Sequence, residues 1–269
     1  MWIPSFLFYF FERMIIMNSF IPWIGGKSRL RKYIIPLIPN DTKRYIEVFG
    51  GAAWVLFGKD KTPGQMEVYN DIDGNLVNLY LQIKNNCEAL QNEIDWLQSR
   101  ELFERYRSEL AADAELTDIQ RAARYWYLIK CSFGANRSSF ATASKNLTVA
   151  DELPLYRDRL KGVIIEHKDF ERIIKTYDRP DACFYLDSPY VASEKYYKTD
   201  LNSFKMADHR RLNTILKTVK GRFILSYNDC DFVREAYKDY NIRSVSRLNL
   251  LPAAAENRTE FKEVIITNF

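Results

Sequence analysis

The tetrapeptide Asp187-Ser188-Pro189-Tyr190 is the stretch of this chain best suited to chemistry. It follows Phe184, Tyr185 and Leu186, an apolar and aromatic run that reads as a buried strand. The acid then stands just beyond the carboxyl end of a strand, where open α/β sheets bind their ligands. A carboxylate, a backbone carbonyl fixed by the following proline and an aromatic face together suit a flat base with an exocyclic amine. Taken alone, the tetrapeptide reads as readily as a strand running into an ordinary Ser-Pro turn. Partner residues elsewhere have to decide.

Three other stretches offer such partners. Ile21 to Leu30 carries Gly25-Gly26 before Lys27, so backbone can approach a ligand closely and the lysine can meet a carboxylate or phosphate. It is no phosphate-cradling P-loop, because Ile21 stands where that motif requires its first glycine. Tyr45 to Phe49 reads as a strand, followed by Gly50-Gly51 and an apolar run from Ala52 to Phe57, the opening of a nucleotide-binding βαβ unit. The next strand, Met66 to Tyr69, ends in Asn70-Asp71, and an acid about 20 residues past the glycine turn is where such folds hold a ribose diol. Finally, the loop from Lys130 to Ser139 is polar and basic, and its Lys130, Asn136, Arg137 and Ser138 suit phosphates or base edges. A solvated loop is the alternative reading of that composition.

The elements that must position these residues follow from periodicity. Arg29 to Ile38 reads as a short helix ended by prolines, and Asn75 to about Leu110 as a helical stretch with one apolar face. Thr117 and Gln120 form a capping-box pair opening another helix. Strands resume at Val163 to Ile165 and Cys183 to Asp187. The tyrosine- and lysine-rich stretch from Val191 to Phe204 reads as a loop over the cleft. After it come a helix (Met206 to Val219), a strand (Arg222 to Tyr227) and a helix (Phe232 to Tyr240). Two last strands, Ile242 to Asn249 and Phe261 to Phe269, are joined by a polar connection holding Glu256, Asn257 and Arg258. The expected layout is an N-terminal extension (1–16) outside the chemistry, a catalytic α/β domain (17–76 and 151–269) and an inserted helical target-recognition subdomain (77–150).

Composition bounds the function. With 269 residues, 47% hydrophobic and 14% aromatic, the chain is globular and carries one large core. A net charge of +4 fits a local basic groove for a polyanion. The four cysteines (Cys87, Cys131, Cys183, Cys230) are scattered and read as reduced core residues of a cytoplasmic protein. Only His167 and His209 are present, in no metal-ligand spacing, so no metal is expected. Trp2 to Phe11 is apolar but too short to span a bilayer and lacks the marks of a signal peptide, so no membrane is expected.

Four of these motifs, in this order, resemble one family: the Dam-type, D12 class adenine-specific DNA methyltransferases, which use S-adenosylmethionine. Pro22-Trp23-Ile24-Gly25-Gly26-Lys27 is similar to its Trp-x-Gly-Gly-Lys element, and Glu47-Val48-Phe49-Gly50-Gly51 to its Glu-Pro-Phe-x-Gly cofactor motif. Asn70-Asp71-Ile72-Asp73 matches Asn-Asp-x-Asn, and Asp187-Ser188-Pro189-Tyr190 stands for Asp-Pro-Pro-Tyr, with Ser188 in place of a proline. The resemblance implies a Rossmann-like methyltransferase sheet with a helical DNA-recognition insertion. It implies a S-adenosylmethionine pocket lined by Trp23, Lys27, Glu47, Gly50, Asp71 and Asp187, with Lys27 at the methionine end and Asp71 at the ribose. Asp187, Ser188, Pro189 and Tyr190 would be the catalytic loop, and S-adenosylhomocysteine the product. The expected partner is double-stranded DNA, with a cognate restriction endonuclease as a further partner and a monomer or weak dimer as the assembly. The alternatives are transfer to another amine, in RNA or protein, and a DNA-binding protein with a decayed site.

Overall fold

Short runs of β-branched and aromatic residues, each closed by a turn, become the strands of a single sheet. The computed structural model describes residues 17–112, 114–191, 204–248 and 260–269. Its strands are β1 (Arg44–Glu47), β2 (Met66–Asn70), β3 (Val163–Glu166), β4 (Ala182–Leu186), β5 (Arg222–Asn228), β6 (Asn241–Leu248) and β7 (Glu260–Thr267). The helices are α1 (Arg31–Ile34), α2 (Trp54–Gly58), α3 (Gly74–Asn85), α4 (Cys87–Glu93), α5 (Arg100–Ala111), α6 (Asp118–Cys131), α7 (Leu153–Leu160), α8 (Phe170–Tyr177), α9 (Met206–Leu216) and α10 (Asp231–Ala236).

The sheet order is β3-β2-β1-β4-β5-β7-β6, parallel from β3 to β5, with β7 antiparallel to both its neighbours. Apart from the antiparallel β7 inserted near one edge, this is the doubly wound dinucleotide-binding order, a Rossmann-like α/β fold. The order reverses between β1 and β4, so a crevice opens beyond the carboxyl ends of those two strands.

Side chains alternate across the sheet and build two cores. Tyr45, Tyr69, Tyr185, Ile224 and Ile265 face helices α1 to α7, while Ile46, Val68, Phe184, Leu225 and Val264 face α8, α9 and α10. Phe103 of α5 and Trp126 of α6 belong to the first core, so the helices between β2 and β3 share continuous packing with the sheet.

Most sequence-derived elements are present within a few residues. The helical stretch from Asn75 to Leu110 is three helices: Asn86 leaves the helical region (φ −134°, ψ 37°), and Ile94 turns extended (φ −73°, ψ 127°) before Ser99 caps α5 through Leu102 N–H. The Arg29–Ile38 helix shrinks to α1 and a 3₁₀ turn across Pro36, where the missing proline N–H cannot continue an α-helix. Both bonds of the Thr117–Gln120 capping box form. Helices α7 and α8 had escaped the sequence reading. Three cysteines are buried, and Cys230 is half-buried at the start of α10. Residues 1–16, the stretch 192–203, and Glu256, Asn257 and Arg258 lie outside the described residues. Among those described, no helix is long and apolar enough to cross a membrane.

Candidate active site

The crevice at the strand reversal collects the motifs. β4 delivers Asp187 to its tip, and β5, its neighbour, supplies the Ser226 hydroxyl, which donates to Asp187 Oδ1 at 3.0 Å. Asn228, at the end of β5, grips Val191 through both backbone groups: its Oδ1 accepts from Val191 N at 2.9 Å, and its Nδ2 donates to Val191 O at 3.2 Å. The Asp187–Tyr190 loop is therefore held at both ends. Ser188 is buried, with its hydroxyl against the Tyr227 phenol, while Pro189 and Tyr190 are half-buried.

Lys27 enters this loop from the N-terminal segment. Its ammonium lies 2.6 Å from Asp187 Oδ1, donates to Gly25 O at 2.9 Å and sits 4.7 Å from the centre of the Tyr190 ring. The lysine side chain is 4% exposed and the aspartate 19%, so the pair is largely desolvated. Burial raises the Asp187 carboxyl above its ordinary range, and the Lys27 ammonium and the Ser226 hydroxyl hold it back. The Tyr190 hydroxyl donates to Glu263 of β7, and burial followed by the nearby Asp187 charge keeps that phenol protonated.

A second cluster lies at the tips of β1 and β2. Asp71 accepts from Gly51 N–H and from Asp73 N–H, both at 2.8 Å, and burial pushes its carboxyl up to about 6. Asn70, beside it, is structural: its amide donates to Val48 O at 2.8 Å and Lys168 O at 3.0 Å and accepts from Lys168 N–H at 2.9 Å, tying three strand tips together. The two glycines of the turn serve different neighbours. A Cβ on Gly50 would fall 2.2 Å from the Tyr69 ring, and one on Gly51, at φ +49°, would fall 3.0 Å from the Trp23 indole. Glu47 is sealed below the turn at 1% exposure, where it accepts from Tyr45 OH at 2.8 Å and from the backbone of Leu56 in α2. Burial pushes its carboxyl up to about 8.

Beside Asp71 a cavity of about 240 Å³ opens between Phe49, Asn70, Ile72, Asp169, Phe170 and Phe204. Sequence reasoning missed most of this wall. The available signal was position alone: Lys168 to Phe170 follow the carboxyl end of β3, as Phe49 follows that of β1. Ser226 and Glu263 were likewise read only as parts of strands.

The loop after α6 takes a separate position. Arg137 (φ +59°) stacks its guanidinium 4.9 Å from the Trp23 ring and 5.5 Å from that of Tyr125, whose hydroxyl donates to Asp73 at 2.5 Å. Asn136 folds the loop on itself, accepting from Ser138 N–H and Ser139 N–H and donating to the Ser139 hydroxyl. Ser138 is exposed, and Lys130 lies 5.8 Å from the Trp126 ring with burial lowering its pKa. Of these four residues, Arg137 stacks on Trp23 beside the crevice, Asn136 and Ser138 lie along the loop outside it, and Lys130 belongs to the last turn of α6, because the helix runs to Cys131 and the loop begins later than the sequence suggested.

The chain is similar to known proteins along most of its length. The chain is 26% identical to the Type II methyltransferase M1.LlaDCHI of Lactococcus lactis subsp. cremoris, over 96% of this chain and 98% of that protein. It is 29% identical to the Type II methyltransferase M.CviBI of Paramecium bursaria Chlorella virus NC1A, covering 83% and 88%. It is 23% identical to a DNA adenine methylase of Haemophilus influenzae, covering 92% of each. A family model described as D12 class N6 adenine-specific DNA methyltransferase matches residues 23–249, from the Trp23 element through the strand tips to the end of β6. The chain belongs to the D12 class of N6 adenine-specific DNA methyltransferases.

Proposed function

We propose that this protein recognises a defined sequence in double-stranded DNA, extrudes one adenine and methylates its N6 with S-adenosylmethionine as donor. The single observation that carries the reading is the meeting of Asp187, Tyr190 and a cationic donor in one half-buried crevice, with Lys27 2.6 Å from the carboxylate and over the aromatic face. An adenine amine presents the same two features, a donor for the carboxylate and a flat π system for the ring.

The residues present fit the cofactor. The Gly50–Gly51 turn leaves out side chains where its backbone passes between Tyr69 and Trp23, Asp71 offers a carboxylate at the ribose position, and the adjoining cavity offers Phe49, Ile72, Phe170 and Phe204 to the faces of a purine and the polar Asn70 and Asp169 to its edge. Trp23, Lys27, Gly50, Asp71 and Asp187 would hold it, with Glu47 supporting the turn from below. S-adenosylmethionine supplies a methyl group activated on a sulfonium.

The protein has to make a poor nucleophile adequate, because the N6 lone pair is delocalised into the purine ring. Asp187 accepts a hydrogen bond from one N6 hydrogen and the Ser188 backbone carbonyl from the other, which localises electron density on nitrogen and aims the lone pair. In a site this dry such bonds act strongly. Tyr190 stacks on the extruded base, a contact worth about 1–3 kcal/mol. Ser188 in place of the family's proline leaves the backbone carbonyl available, and Pro189 still biases Ser188 toward extended conformations.

Residues 77–150 are proposed to supply target recognition, with Lys130, Asn136, Arg137 and Ser138 facing DNA; supporting this, Phe133, Gly134, Ser138 and Ser139 of the loop after α6 are exposed, Phe133 at 68%. The Type II names of two relatives support a cognate restriction endonuclease as partner.

Single-molecule sequencing of plasmid DNA from cells expressing the protein tests the reading, since it reports modified base and context together. N6-methyladenine at one motif is expected, and its loss in Asp187→Ala with the circular dichroism of the fold retained. An unmodified plasmid, or normal modification by Asp187→Ala, refutes it.

A further inference from the structure

β7 runs between β5 and β6, and its Val264, Ile265 and Ile266 are buried and apolar. Glu263 begins this run with a carboxyl that is 0% exposed. A buried carboxyl lowers stability unless hydrogen-bonded, and a branched apolar side chain suits such a strand position better. Breaches of local pattern of this kind concentrate at functional sites. Glu263 Oε1 accepts a hydrogen bond from the Tyr190 hydroxyl. The strand register sets Glu263 opposite Asn228, whose side chain grips Val191, the residue after Tyr190. The same aromatic ring therefore has its hydroxyl anchored on β7, its following peptide anchored on β5, and one face turned to Lys27.

We infer that Glu263 is a positioning residue for the extruded base: by holding the Tyr190 hydroxyl it fixes the plane of the stacking ring before the adenine arrives. This rests on the reading of Tyr190 as the stacking face. Preorganisation of that kind strengthens capture of the base and leaves cofactor binding alone, because Glu263 acts through Tyr190. Glutamine at 263 keeps an acceptor for the hydroxyl, leucine removes it without burying a charge, and Tyr190→Phe removes the same bond from the other side.

The test uses the full chain, a duplex carrying the motif found by plasmid sequencing, and three readouts: kcat/KM for DNA, S-adenosylmethionine affinity by calorimetry, and circular dichroism. For Glu263→Leu the expected result is a loss of about 10- to 100-fold in kcat/KM for DNA with cofactor affinity within about 2-fold of wild type. Glu263→Gln is expected within about 3-fold of wild type, and Tyr190→Phe/Glu263→Leu no worse than Glu263→Leu alone, as befits one shared bond. Wild-type kcat/KM in Glu263→Leu, an equal loss of cofactor affinity, or additive losses in the double variant would overturn the inference. Should Glu263→Leu fail to fold, Tyr190→Phe carries the test: it must show the DNA-specific loss, and wild-type kcat/KM there overturns the inference. A wild-type protein that leaves adenine unmodified defeats the reading of function instead, so the two failures are distinguishable.

Discussion

The Lys27 ammonium bridges the two side chains of the candidate catalytic loop: it lies 2.6 Å from Asp187 Oδ1 and 4.7 Å from the centre of the Tyr190 ring. This pairing opposes the upward push that burial gives the Asp187 carboxyl.

Lys27→Met should therefore shift the pH dependence of methyl transfer. Burial alone pushes Asp187 upward and Lys27 opposes it, so removing the cation raises the carboxyl further. The acidic limb of the single-turnover rate, measured at saturating cofactor from pH 5.5 to 9, is expected to move to higher pH. The rate near neutrality is expected to fall by at least about 10-fold. An acidic limb that stays in place would show that Lys27 does not tune Asp187.

Changes at Ser188 should be mild. Its proposed contribution is a backbone carbonyl, and its buried hydroxyl lies beside the Tyr227 phenol. Both Ser188→Ala and Ser188→Pro are expected to keep turnover within about 5-fold of wild type, proline because Pro189 already disfavours helical geometry at 188. Loss of activity in Ser188→Pro would contradict the extended loop geometry.

Gly50→Ala should be costlier than an ordinary glycine replacement. The new methyl would stand 2.2 Å from the Tyr69 ring, which cannot swing aside because its hydroxyl is bonded to Gly51 O at 2.8 Å and its face stacks on Tyr80 at 4.2 Å. Urea denaturation is expected to show a loss of about 1–3 kcal/mol. A neutral outcome would mean the turn relaxes freely.

Glu47→Gln tests the sealed acid below the turn. The Glu47 carboxyl is raised from 4.5 to about 8 in the folded chain. A raised acid favours the folded state while protonated, so its contribution is present below about pH 4.5 and is lost as pH rises toward 8. Glutamine cannot ionise, and the Tyr45 hydroxyl can reorient to serve the amide. Thermal melts should find the variant gaining on wild type as pH increases, by about 4 °C or more at pH 9 relative to pH 5. Parallel melting curves across that range would place the Glu47 titration outside the window.

Strand tips and glycine turns were the most legible parts of the chain. Asp71, Asp187 and Lys27 were legible because strand ends and glycine turns leave short, local signatures, and the structure brings Lys27 and Asp187 into contact across 160 residues of chain. Glu263 and Ser226 left no such signature: each is a polar residue at or within the apolar run of its strand, and its meaning appears only when β5 and β7 lie beside β4 and its loop. Asp169 and Phe170 were hidden because the short helix they open, α8, was not recognised. Arg137 was legible as a basic loop residue, but its stacking on Trp23 depends on a left-handed backbone that composition does not encode.

The strand order has a consequence for how the chain comes into being. Arg44 of β1 pairs with Met66 on one side and with Ala182 on the other, so the central strand keeps an open edge until some 140 further residues have left the ribosome. β7, made after both β5 and β6, must then thread between them. Such distant pairings fold slowly and expose apolar strand edges meanwhile, which calls for chaperone protection of the nascent chain. Glu263 arrives with β7, after β4 and β5 are made, so the proposed brace on Tyr190 is added to the candidate site later than Asp187, Ser226 and Asn228.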